Sequence, residues 1–109
     1  MVIPSNETFD GTWPFVPHFT RASGFQQHYV DEGPRGAETI LCLHGEPTWG
    51  YLYRKMIAPL SETFRVVVPD HMGFGKSETP QDRVYTLQSH VENLERFVEA
   101  LDLRDITLV

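Results

Sequence analysis

The sequence predicts an α/β fold built on a mostly parallel sheet with crossover helices. Three observations predict it. Residues 39–43 and 64–70 are short apolar runs bounded by turn residues, the pattern of strands buried on both faces. Each is followed by a segment whose apolar residues recur at helical spacing. Strand-like and helix-like segments then alternate along the chain, which calls for parallel pairing through crossovers.

The elements follow in order. Residues 1–24 lack periodicity and are rich in aromatics and proline, with Phe9, Trp13, Pro14, Phe15, Pro17 and Phe19. They read as an irregular arm packed onto the domain, with a short strand within 15–20. Residues 25–109 read as one core unit. A strand is expected over 24–31, and the run from Glu32 to Gly36 reads as a turn. After the 39–43 strand, residues 49–61 run helically. Leu52, Met56 and Leu60 fall four apart, with Tyr53 and Ile57 beside them. Thr48 is the expected N-cap, and Pro59 is expected to end the helix. A second buried strand at 64–70 leads into a loop, 71–82, rich in turn residues. Leu87, Val91, Leu94, Phe97, Val98 and Leu101 then mark one face of a long helix, capped by Thr86 and closed by residues 103–105. Residues 106–109 open a further strand, within which the sequence stops.

Composition narrows the function classes. At 109 residues there is room for one domain. A net charge of −6 and a pI near 5.2 argue against nucleic-acid or anionic-membrane partners. No apolar run approaches the roughly 18 residues that span a bilayer, and the N-terminus lacks the basic head and apolar core of a signal peptide. Cys42 is the sole cysteine, so no internal disulfide forms, and its place in an apolar run suits a buried hydrophobe better than a reactive thiol. A cytoplasmic protein is expected.

Three patterns bear on chemistry. Gly75-Lys76-Ser77 resembles the end of a phosphate-binding loop, but Asp70 stands where that loop needs a glycine, and Pro80 interrupts the helix that should follow. Gly73 and Gly75 are better read as letting the chain turn sharply off the strand end. The five histidines include no i, i+4 pair beside an acid, so neither a metal nor a cofactor is expected. His44 and His71 each follow a strand end and are expected to hydrogen-bond neighbouring backbone.

Glu46 is the sharpest candidate. It follows Gly45 at a strand's carboxyl end, where open α/β sheets bind ligands. Pro47 after it lacks an N–H, and Gly45 lets backbone approach a ligand. The Glu46 amide is then free to point into a pocket and stabilise an oxyanion. The competing reading is a surface glutamate facing water.

Taken together, residues 44–49 (His-Gly-Glu-Pro-Thr-Trp), 51–54 (Tyr-Leu-Tyr-Arg) and 69–77 (Pro-Asp-His-Met-Gly-Phe-Gly-Lys-Ser) resemble the α/β-hydrolase fold, and within it the N-terminal part of haloalkane dehalogenases. The likeness runs from about Gln27 to Val109. It implies an aspartate nucleophile that displaces halide to give an alkyl ester, and a histidine, oriented by an acid, that activates water to hydrolyse it. It also implies that the amide at Glu46 forms half of the oxyanion hole, with its side chain near the hydrolytic water. His44, Gly45, Pro47, Gly73 and Gly75 would shape the loops.

The resemblance places the nucleophile, general base, acid, cap domain and halide-binding tryptophans beyond Val109. Trp13 and Trp49 are not at the matching positions. The expectation is an N-terminal segment of a hydrolase, inactive alone, completed by a second chain and acting on a small molecule such as a halogenated alkane. The alternatives are a segment of a serine esterase or epoxide hydrolase, or a non-catalytic binding module.

Overall fold

The computed structural model describes residues 3–45, 48–83 and 85–109. Five strands form one sheet: β1 (His18–Thr20), β2 (Gln27–Glu32), β3 (Thr39–Leu41), β4 (Arg65–Pro69) and β5 (Ile106–Leu108). Their order across the sheet is β1-β2-β4-β3-β5. β3 pairs in parallel with β4 and with β5, whereas β2 runs antiparallel to both β1 and β4. The parallel part is therefore the β4-β3-β5 half. A single-turn 3₁₀ helix, Gly50–Tyr53, leads into α1 (Arg54–Ser61), and α2 is Leu87–Leu101.

The run Val66-Val67-Val68 shows how strand alternation builds three layers. Val66 and Val68 face one side, where they pack with Trp13, Val30, Cys42, Tyr53 and Ile57. Val67 faces the other, where it packs with Leu41, Phe97 and Leu103. So α1 and the N-terminal arm cover one face of the sheet, and α2 covers part of the other. Trp13 is fully buried and touches Phe15, Trp49 and Tyr51 edge to face or tilted. A residue from the irregular arm is thus a central piece of the core.

Helix α2 begins as its sequence predicts. The Thr86 side chain accepts from the Ser89 N–H, and the Ser89 hydroxyl accepts in return from the Thr86 N–H, a reciprocal cap that satisfies two otherwise orphaned donors. It ends on Asp102, in the left-handed region at φ 50°, before reaching residue 103.

Several local expectations are corrected. Thr48 does not cap the first helix. Its hydroxyl donates to Gly45 O at 2.7 Å, and Trp49, with no side-chain cap bond, occupies the N-cap. Pro59 lies inside α1 rather than ending it, and the helix continues to Ser61. Of the expected apolar stripe, Tyr53 and Ile57 are buried and Leu60 packs against the same core, whereas Leu52 and Met56 are exposed, so the inward face is the Tyr53–Ile57–Leu60 side of that stripe. The second strand starts at Gln27, three residues later than its apolar pattern suggests.

Candidate functional site

The loops that leave β3 and β4 emerge side by side at one end of the sheet, since these strands are parallel neighbours. Between them and the start of α2 lies a cleft of about 410 Å³, bordered by His44, Gly45, His71, Phe74, Tyr85 and His90, among others. Its position at strand carboxyl ends is where α/β sheets place ligands.

Asp70 anchors the β4 loop. Its carboxylate is fully buried, which is tolerable only when its oxygens are satisfied. Oδ1 accepts from the Gly50 N–H at 2.7 Å, and Oδ2 accepts from the Lys76 N–H at 3.0 Å and lies 2.8 Å from His28 Nδ1. The loop 71–76 therefore wraps around a side chain at its own start. Gly75 makes that wrap sterically feasible. Its φ is +55°, and a Cβ there would lie 2.4 Å from Asp70 Oδ2. Gly73 also has positive φ, +86°, with the Tyr85 ring against it. Ser77 closes the wrap by donating to Asp70 O and accepting from the His28 N–H.

Lys76, in the phosphate-loop-like motif, binds protein rather than phosphate. Its buried ammonium donates to the carbonyls of Ser5 and Glu7, 2.8 Å each, and so ties the N-terminal arm to the β4 loop. Burial lowers its pKa, opposed by the nearby Asp70 and Glu7 carboxylates.

The β3 loop is held from several sides. Tyr53 donates its hydroxyl to Leu43 O at 2.6 Å. The Gly45 carbonyl lies within reach of three donors: the Thr48 N–H at 3.2 Å, the Thr48 hydroxyl at 2.7 Å and His44 Nδ1 at 2.8 Å. A Cβ on Gly45 would meet open space. Glu46 and Pro47, the candidate oxyanion group and its neighbour, lie outside the described residues. The His44 and His71 rings meet at a tilt, 4.3 Å between centroids, with His90 5.6 Å from His71. Burial, reinforced by the two neighbouring histidines, pushes His71 down to about 4, and burial likewise lowers His44. Both rings are neutral near pH 7. Among the described residues, no group of three or more His, Cys, Asp or Glu could hold a metal ion. Burial pushes the Cys42 thiol up to about 11, which keeps it protonated and unreactive near neutrality.

Sequence reasoning placed His44, Gly45, Gly73 and Gly75 beside this cleft or under its loops, and missed Asp70 as their organiser. The available signal was an acid directly after a buried strand, five residues before the Gly-Lys-Ser triplet, whose lysine amide could reach back to it. Nothing in the sequence pairs His28 with Asp70.

A sheet with helices on both faces and a His-Gly loop at the end of β3 define a class, and the family model described as alpha/beta hydrolase fold matches residues 38–109. The chain belongs to the α/β-hydrolase fold family. It is 48% identical to a haloalkane dehalogenase of Psychrobacter cryohalolentis over 101 residues, covering 86% of this chain and 33% of the relative. It is 42% identical to a cis-3-alkyl-4-alkyloxetan-2-one decarboxylase of Xanthomonas campestris over 87 residues, covering 73% of this chain and 29% of that protein. Among solved structures it resembles the tetrameric haloalkane dehalogenase DpaA of Paraglaciecola agarilytica, with a TM-score of 0.83 and 44% identity, over 89% of this chain and 35% of that one. The chain thus spans about a third of the length of the curated relatives it matches.

Proposed function

We propose that the chain is the oxyanion-loop segment of a haloalkane dehalogenase-like hydrolase, one that cleaves a carbon–halogen bond through an alkyl-enzyme ester. The observation that carries this reading is the 44–48% identity to two haloalkane dehalogenases across most of the chain. In the proposed reaction a carboxylate displaces halide from carbon, and water then attacks the resulting ester, whose carbonyl oxygen becomes an oxyanion. The Glu46 amide stabilises that oxyanion, and its side chain contacts the attacking water. Support comes from the residue before it: the Gly45 carbonyl lies within reach of three donors, which hold the start of this loop in place. His44, Gly45, Pro47, Gly73 and Gly75 act as loop-shaping residues in this reading.

The nucleophile, general base and acid come from a second chain, so the 109 residues alone are inactive. The substrate is a small halogenated alkane, the setting is the cytoplasm, and residues 1–24 serve as an arm clasped to the core unit 25–109. The partly covered α2 face supports the need for completion. Halide release from a haloalkane, measured with this chain alone and with the remaining two-thirds of the fold supplied, tests the reading. Release is expected only from the combination, and release by the chain alone would place the nucleophile within it.

The 42% identity to the oxetan-2-one decarboxylase favours a second reading, in which the same loop serves a β-lactone substrate. Offering both substrates to the completed protein separates them: halide ion in one case, carbon dioxide in the other.

A further inference from the structure

The histidines at the ends of β3 and β4 form a reciprocal contact. The two strands pair in parallel as far as Leu41↔Val67, and the Cys42 N–H still donates to Val67 O. β3 ends at Leu41 while β4 runs on to Pro69, and the two histidines bridge the gap between the loops that follow. The His71 amide donates to His44 Nε2 at 2.9 Å, and His71 Nε2 lies 3.1 Å from the His44 carbonyl.

Hydrogen-bond chemistry assigns the protons. A backbone N–H only donates, so His44 Nε2 carries a lone pair and the ring proton sits on Nδ1. That Nδ1–H donates to Gly45 O at 2.8 Å. The His44 carbonyl only accepts, so His71 carries its proton on Nε2. One tautomer of each neutral ring satisfies all three contacts. The chain of bonds runs from the β4 loop, through the His44 ring, to the Gly45 carbonyl.

We propose that His71 is a positioning residue for the β3 loop, clamping the His44 backbone and ring so that the Gly45 peptide keeps one orientation. This rests on the reading of that loop as the oxyanion loop. His71 does not touch the reacting atoms. Its effect is to remove alternative orientations of the peptide that precedes the Glu46 amide, a form of preorganisation.

Two measurements test it. Long-range proton–nitrogen correlation spectra of the chain labelled with ¹⁵N-histidine, free and joined to the remaining fold, read the tautomers at pH 7. The expectation is Nδ1–H for His44 and Nε2–H for His71, and the opposite tautomer of either ring overturns the clamp. In the completed protein, His71→Phe keeps an aromatic ring without a donor, and His71→Gln restores an N–H of similar reach. His71→Phe is expected to lower kcat about tenfold with KM changed less than about twofold, and His71→Gln to recover most of the loss. An unchanged kcat in His71→Phe, or a glutamine variant no better than phenylalanine, overturns the proposal. If the completed wild-type protein releases no halide, the functional reading fails, and the tautomer spectra decide the clamp by themselves.

Discussion

The two faces of the sheet are finished to different degrees. On the α1 face, Trp13, Ile57, Val66 and Val68 are all fully buried, and the arm and α1 close over them. On the α2 face, Val67 and Phe97 are equally buried, but Leu87 is 82% exposed, and Val91, Ile106 and Leu108 are exposed too. An apolar groove of about 440 Å³ runs between α2 and β5. Both faces come from the same strands, so the difference lies in what covers them. The α1 face is closed by segments local to this chain. The α2 face keeps part of its apolar helix stripe uncovered.

Breaking the closed face has the largest expected effect. Trp13→Ala removes a fully enclosed aromatic and leaves a cavity, at a cost of about 3–5 kcal/mol, read from the shift of a urea unfolding midpoint. A small shift would mean that the arm is not part of the core.

Acid should weaken the other face next. Asp31 and Arg65 share that face with Val67, by alternation from Val30 and Val66. Burial alone would raise the Asp31 carboxyl, but the hydrogen bonds and charges of Arg65 and Arg35 outweigh it and hold the pKa below its ordinary value. Arg65 makes a two-pronged contact at 2.9 and 2.8 Å, and Arg35 adds a third. A carboxyl whose folded pKa is depressed contributes stability that is fully present above its unfolded value, near 3.8, and lost as pH falls through the folded value. Unfolding midpoints measured below pH 4 should therefore drop more steeply for the wild type than for Asp31→Asn. Equal slopes would show that the arginines do not hold this carboxylate.

The smallest effect on the chain itself belongs to the uncovered stripe. Val91→Gln should change its stability by no more than about 0.5 kcal/mol, since the side chain is already half exposed. Under the proposed function, the same change should weaken association with a chain carrying the rest of the fold in a binding titration. Unaltered association would mean that this groove is not where completion occurs.

Much of the architecture was legible because it is local. The alternation of apolar runs with helical stripes fixed the order of β2, β3, α1, β4, α2 and β5, and Thr86 announced its cap through side-chain reach within one turn. Apolar spacing marked Tyr53, Ile57 and Leu60 together with Leu52 and Met56, and only the packing shows that the last two face out. At the site, the sequence pointed to the strand ends that carry His44, Gly45, His71 and the two loop glycines. It did not reveal what holds them.

Those decisions belong to the tertiary structure. His28 meets Asp70 across 42 residues, His71 meets His44 across 27, and Lys76 reaches Ser5 across 71. Residue spacing carries information only where the chain has a repeating local geometry, as in a helix or strand. Over such separations, contact depends on strand order and register, and these exist only once β4 has inserted between β2 and β3.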